Sequence, residues 1–151
     1  MDRVSWDTYF LDLAGKIAER STCTRRYVGA IAVKDRRILA TGYNGSPMGL
    51  PHCTDLEGCI REEMEVPAGQ RHELCRATHA EQNIVAQAAR FGISLESATI
   101  YISGGTPCTI CAKLLINVKI KHITCNVGYP DMVALAFLRE AGIDCEIGEP
   151  A

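Results

Sequence analysis

The stretch that decides the fold runs from His79 to Cys111. It opens His79-Ala80-Glu81-Gln82-Asn83-Ile84-Val85-Ala86-Gln87-Ala88-Ala89-Arg90-Phe91-Gly92 and closes Thr99-Ile100-Tyr101-Ile102-Ser103-Gly104-Gly105-Thr106-Pro107-Cys108-Thr109-Ile110-Cys111. Ala80, Ile84, Val85, Ala88 and Ala89 recur at helical spacing and Gly92 is a natural stop, so His79–Phe91 is predicted as a helix. Thr99–Ser103 reads as a strand. Pro107 suits a helix start, which places the next helix at Thr109–Val118.

The same pattern extends to both sides. Val4–Arg20 reads as an amphipathic helix with Trp6, Tyr9/Phe10, Leu13 and Ile17 on its apolar side. Val28–Val33 is an apolar run typical of a buried strand, Lys34–Arg37 turns the chain, and Ile38–Gly42 completes a hairpin. Tyr43–Gly49 is loop. Downstream, His122–Val127 is a strand, Asp131–Ala141 a helix and Cys145–Ile147 a short strand. After the hairpin the order is α-β-α-β-α-β, which implies parallel crossovers and a sheet covered on both faces. The expected fold is α/β: three α/β/α layers around a mixed five-stranded sheet. The 151 residues make one domain over 1–151. The segment at about 50–76 is irregular and cysteine-rich, and reads as a metal-organised loop insertion.

Composition narrows the function. Sixteen Lys and Arg against eighteen Asp and Glu give a net charge of −2, which argues against a bulk electrostatic grip on nucleic acid. The apolar stretch near Leu114–Val118 is far shorter than the ~20 residues that span a membrane. The opening Met1-Asp2-Arg3 leads into an amphipathic stretch rather than a signal peptide, so a cytoplasmic location is expected. Eight cysteines are then read as reduced thiols, with clusters pointing to metal rather than disulfides.

Two short pieces carry the chemistry. His79-x-Glu81 opens one predicted helix and Pro107-Cys108-x-x-Cys111 opens the next; together they form the signature of zinc nucleobase deaminases. Cys108 and Cys111 are three apart, so on a helical first turn they share one face and one metal. His79 supplies a third ligand, and three protein ligands leave the fourth tetrahedral position open, which marks a catalytic zinc. Zinc can bring the pKa of a bound water to about 7. Glu81 sits beside that position without ligating it. It can take the water's proton and pass protons to a ring nitrogen and a leaving amine.

With these motifs in place, the chain resembles the deoxycytidylate (dCMP) deaminase family of the cytidine deaminase-like superfamily, from about Trp6 to Ile147. The resemblance rests on Arg20-Ser21-Thr22-Cys23-Thr24-Arg25-Arg26, Thr41-Gly42-Tyr43-Asn44-Gly45-Ser46-Pro47, Gly49-Leu50-Pro51-His52-Cys53, Cys75-Arg76-Ala77-Thr78-His79-Ala80-Glu81-Gln82-Asn83 and Pro107-Cys108-Thr109-Ile110-Cys111-Ala112-Lys113. It implies hydrolysis of dCMP to dUMP and ammonia, which supplies thymidylate synthesis. By analogy Asn44 would hold the sugar, Ser46 and Arg26 the 5′-phosphate, the backbone of Ala80 the pyrimidine carbonyl, and Tyr129 the nucleotide's edge. The residues alone also allow Asn44 as a turn residue, Arg26 as a surface ion-pair partner and Tyr129 as packing. The resemblance further implies a homo-oligomer, hexameric in many members, activated by dCTP with Mg2+ and inhibited by dTTP. The loop Gly104-Gly105-Thr106 is one residue longer than the family pattern, and would line the pocket near the base.

Some family members carry a second, structural zinc, and Cys23 and Cys53 match its ligand positions. Cys53-x5-Cys59 and His72-x2-Cys75 have chelating spacings, so the expected set is Cys23, Cys53, Cys59 and Cys75, with His72 as substitute. Cys125 and Cys145 are expected as buried small hydrophobes, His122 as solvated, and Glu62–Glu65 as a solvated helix face. Two other readings compete: a deaminase of another cytosine nucleoside or nucleotide, and a non-catalytic competence-associated zinc protein of the same fold. Glu81 weighs against the second, because a scaffold needs the ligands but no proton shuttle.

Overall fold

The computed structural model describes residues 2–148. Its five strands are β1 Gly29–Lys34, β2 Arg37–Tyr43, β3 Thr99–Ser103, β4 His122–Cys125 and β5 Asp144–Ile147. They lie in the order β2-β1-β3-β4-β5. The helices are α1 Trp6–Ala18, the single turn α2 Ile60–Glu63, α3 Ala80–Phe91, α4 Thr109–Asn117 and α5 Met132–Glu140. No helix among the described residues is long and apolar enough to cross a membrane.

β3, β4 and β5 pair in parallel, as their helical connections require. β1, however, is antiparallel to both β2 and β3. The crossover through α3 therefore joins β2 to β3 over the top of β1, which runs against all its neighbours. Element order reveals the crossover but not which hairpin strand receives the newcomer.

Side chains alternate cleanly across the sheet. Ala30, Ala32, Ile100 and Ile102 pack toward Ile84 of α3, Leu115 of α4 and Leu138 of α5. Ile31, Val33 and Tyr101 turn to the opposite face, against Phe10 and Ala14 of α1. Burial on both faces explains the unbroken apolar run of β1.

Three expectations change. The buried line of α1 is Phe10, Ala14 and Ala18, while Trp6 and Tyr9 are 42% and 44% exposed. Close approach of the helix to β1 favours small residues on the contact line and displaces the larger rings to its flank. His122 is half-buried rather than solvated, with Nε2 3.7 Å from the Glu146 carboxylate on β5. Cys125 is buried, but Cys145 on the edge strand is only partly so.

Two local features position the helix starts that carry the site. A Cβ on Gly42 of β2 would lie 2.3 Å from the carbonyl oxygen of Ala80, so only glycine lets the first turn of α3 settle on the sheet. Asp131, the N-cap of α5, accepts from the N–H groups of Val133 and Ala134 with one oxygen. Its other oxygen accepts from the N–H and hydroxyl of Thr109 at 3.2 and 2.9 Å, tying the first turn of α4 to that of α5. Partial burial opposes the Asp131 charge, but the hydrogen bonds from Ala134, Thr109 and Val133 prevail and hold its pKa below the usual value.

Gly42→Ala is expected to cost about 1–3 kcal/mol in urea unfolding and to weaken metal retention, because backbone meets backbone and α3 must retreat. Asp131→Ala is expected to cost about 1–2 kcal/mol at neutral pH. A depressed carboxylate stabilises the fold above its unfolded pKa and loses that contribution as pH falls through its folded one. The gap between wild type and Asp131→Ala should therefore be constant near neutrality and close below about pH 4. A gap that widened in acid would remove Asp131 from this role.

Candidate metal centre

The site is built from two helix starts that face each other. His79 is the N-cap of α3, and its N–H donates to Gln82 Oε1 at 2.8 Å. Cys108 is the N-cap of α4, and its Sγ accepts from the N–H of Cys111 at 3.4 Å. His79 Nδ1 lies 3.5 Å from Cys108 Sγ and 3.4 Å from Cys111 Sγ. Tetrahedral zinc, with bonds of ~2.3 Å to sulfur and ~2.0–2.1 Å to nitrogen, places those atoms about 3.5 Å apart. The donors fit zinc in their chemistry, and each sulfur stands from His79 Nδ1 at the separation that a shared ion requires. A Glu81 carboxylate oxygen lies within 4.8 Å of His79 and Cys111, and the residue is only 4% exposed.

The electrostatics favour a cation at this point. The hydrogen bond with Cys111 holds the Cys108 thiol down at about 4, aided by His79 and opposed by burial. Cys111 shifts upward, since Cys108 takes the charge of the pair and burial opposes a second one. Burial works against a charged His79, yet Cys108, Cys75 and Glu81 hold its ring up at about 10. Glu81 is pushed up by burial. Metal binding displaces protons from such ligands, and the positive ends of α3 and α4 favour the thiolates.

A cavity of about 590 Å³ opens in front of this centre. His79, Ala80, Glu81 and Cys108 line one side, and residues of the 50–76 segment line the other. Ala80 is the first residue of α3, so its N–H belongs to the unpaired first turn. Asn44 and Arg26 also line the cavity. The Asn44 amide is largely engaged: Oδ1 accepts from Val28 N–H at 2.9 Å and from the Ser21 hydroxyl, and Nδ2 donates to the Arg26 carbonyl at 3.0 Å. It thus shapes the loop that forms the cavity wall.

Ser46 and Tyr129 are not brought to the cavity. The Ser46 hydroxyl lies beside Cys53. Tyr129 is 84% exposed, and its carbonyl is held by the Thr106 hydroxyl at 3.0 Å. Close approach accounts for the glycine that opens the longer loop. Gly104 has φ +88, and a Cβ there would lie 2.1 Å from the Tyr27 carbonyl oxygen. Gly105 and Thr106 then reach the cavity.

Cys23, Cys53, Cys59 and Cys75 all line this same cavity. Burial raises the Cys53 pKa, and the charges of Cys75, Cys23 and Cys59 raise it further. No three of these four sulfurs fall within 4.8 Å of one another among the described residues. They do not form a closed metal cage as arranged. Cys75 leans toward His79, whose hydrogen bond lowers its pKa. His72, expected as the substitute ligand there, stands instead at the first centre. Its ring lies 5.0 Å from that of His79, and its ligand atom is within 4.8 Å of those of His79 and Cys108. The spacing of His72 to Cys75 suggested chelation, but the 3-10 turn His72–Leu74 points the two side chains to different neighbours.

Residues 4–127 match the model of the cytidine and deoxycytidylate deaminase zinc-binding region. ComE operon protein 2 of Bacillus subtilis is 40% identical over 82% of this chain and 60% of its own length. The deoxycytidylate deaminase of Mycobacterium phage D29 is 38% identical over 82% of this chain and 95% of its own. The structure of the cyanophage S-TIM5 dCMP deaminase in complex with dCMP and dUMP superposes with a TM-score of 0.78 at 25% identity, covering 97% of this chain and 99% of that one. The chain spans about half the length of the first curated relatives it matches (60%, 43% and 44%). With the two helix starts in place and this match across the zinc-binding region, the chain belongs to the cytidine and deoxycytidylate deaminase family.

Proposed function

We propose that this protein is a zinc-dependent hydrolytic deaminase that converts dCMP to dUMP and ammonia. The carrying observation is the approach of Cys108 Sγ and Cys111 Sγ to His79 Nδ1, each at a distance that a shared zinc ion requires, with the buried Glu81 carboxylate beside His79 and Cys111. A zinc ion held by His79, Cys108 and Cys111 would supply an acidified water at neutral pH. The Ala80 N–H, in the first turn of α3, would donate to the pyrimidine carbonyl and so hold the ring with its C4 toward the centre. Glu81 would accept a proton from the water that adds to C4 and return it to the neighbouring ring nitrogen. The proton left on the new C4 hydroxyl would pass through Glu81 to the exocyclic amine, and ammonia leaves as the C4–N bond breaks and the C4 carbonyl forms. Burial, which favours protonated Glu81, suits the donor half of this cycle.

The choice of dCMP among cytosine compounds is supported by the relatives named for that reaction and by the arginines around the cavity. The competence-associated reading has one relative in its favour, yet it leaves Glu81 without a task. Activation by dCTP with Mg2+, inhibition by dTTP and a hexamer extend the same reading. Exposed Met132, Val133 and Phe137 on α5 support association between copies.

Glu81→Gln is expected to lower kcat for dCMP by about 10³-fold or more while zinc content stays unchanged. Retained turnover would remove Glu81 from the proton path. Cys108→Ala is expected to lose the ion at this centre, read by elemental analysis. A full equivalent of zinc surviving in the variant would remove Cys108 from the ligand set.

A further inference from the structure

A cation in the cavity wall has been given no task of its own. Arg61, in the single turn α2, is 8% exposed and lines the cavity. Its Nε is buried without a hydrogen-bond partner. No carboxylate among the described residues forms an ion pair with it, although Glu57 and Glu63 line the same cavity. A guanidinium stays charged at any pH the fold survives. Buried charges in native proteins are paired, because an isolated one is costly. An unpaired buried guanidinium beside an active-site cavity therefore calls for an anion from outside the chain.

A second arginine completes the arrangement. Arg25 lines the cavity, and one of its terminal nitrogens is buried without a partner. Its Nε is held from behind by Glu62 at 3.4 Å, which fixes the side chain but leaves that nitrogen free. Arg61 also lies close enough to His72 and Cys75 for its charge to affect both. Both residues adjoin His79. The positive charge is thus carried on the cavity wall formed by the 50–76 segment and the Arg25 loop, beside residues that adjoin the metal centre and within the same cavity as Ala80 and Glu81.

We propose that Arg61, assisted by Arg25, holds the phosphate of the substrate and makes the enzyme select a nucleoside monophosphate over its nucleoside. The assignment rests on the deaminase reading above. It moves the phosphate away from Ser46, whose hydroxyl lies beside Cys53 and outside the cavity. The planar guanidinium fork matches phosphate oxygens bidentately, which an ammonium group cannot do. The competing use of Arg61 is as a counter-ion to the neighbouring cysteine thiolates, and the test separates the two.

Arg61→Gln keeps the approximate length of the side chain and removes the charge. Its ratio of kcat/KM for dCMP over deoxycytidine is expected to fall about 100-fold, chiefly through KM for dCMP, with zinc content and Tm unchanged. Arg61→Lys should recover part of that ratio. Calorimetry on zinc-loaded protein should show dUMP binding lost in Arg61→Gln, and inorganic phosphate should raise the Tm of wild type but not of the variant. A wild-type ratio in Arg61→Gln overturns the proposal. So does loss of zinc or of folding in Arg61→Gln when Arg25→Gln, which folds, keeps the wild-type preference for dCMP. If the zinc-loaded wild type turns over no cytosine compound yet binds dUMP and phosphate through Arg61, the deaminase reading fails and the phosphate site stands.

Discussion

The organising constraint is that two helices must begin at the same point. His79 and Cys108 are the N-caps of α3 and α4, and the donor atoms at these caps come within 3.5 Å across the gap. Each helix start leaves unpaired N–H groups and a partial positive charge, so two of them facing one another need an anionic filling. Cys108, Cys111 and Glu81 offer it, and a divalent cation would balance them in turn. Every feature that places α3 or α4 therefore bears on the chemistry. Gly42 lets α3 settle on β2, and Asp131 locks α4 to α5.

The sheet contributes direction as well as support. β3, β4 and β5 are parallel, so the loops that follow β3 and β4 leave from the same end of the sheet. The Gly104–Pro107 loop after β3 and the Asn126–Asp131 loop after β4 meet there. Gly104 N–H donates to Asn126 Oδ1, and Asn126 Nδ2 donates to the Ser103 hydroxyl. Reversal of β1 also brings the loop before it, at Arg25–Val28, to this end. That explains how Asn44, at the close of β2, bonds to Val28 and Arg26 from across the hairpin.

The 50–76 segment follows another logic. It has little regular structure beyond α2 and two 3-10 turns. Its buried residues are Cys53, Cys59 and Arg61, a poor basis for an apolar core. Polar and thiol groups buried in this way gain stability from ligands rather than from packing. The segment thus forms the second wall of the cavity and brings to it groups that the three-layer scaffold does not supply.

The sequence by itself determined the scaffold and the candidate metal ligands. Helical and strand periods are local properties of the chain, and they located all five strands and the four long helices to within a few residues. His79-x-Glu81 and Pro107-Cys108-x-x-Cys111 were legible because a metal demands donors at fixed short spacings on helix starts. Only the tertiary structure decided what depends on distant packing. The strand beside β1, the shift of the buried line of α1 to Phe10, Ala14 and Ala18, and the second bond of Asp131 to Thr109 arise between segments far apart in the chain. The same holds for His72, which local spacing joined to Cys75 but the fold placed beside His79. It holds most of all for Arg61, which has no motif around it. A charge becomes informative when it is buried without a partner, and burial belongs to the folded whole.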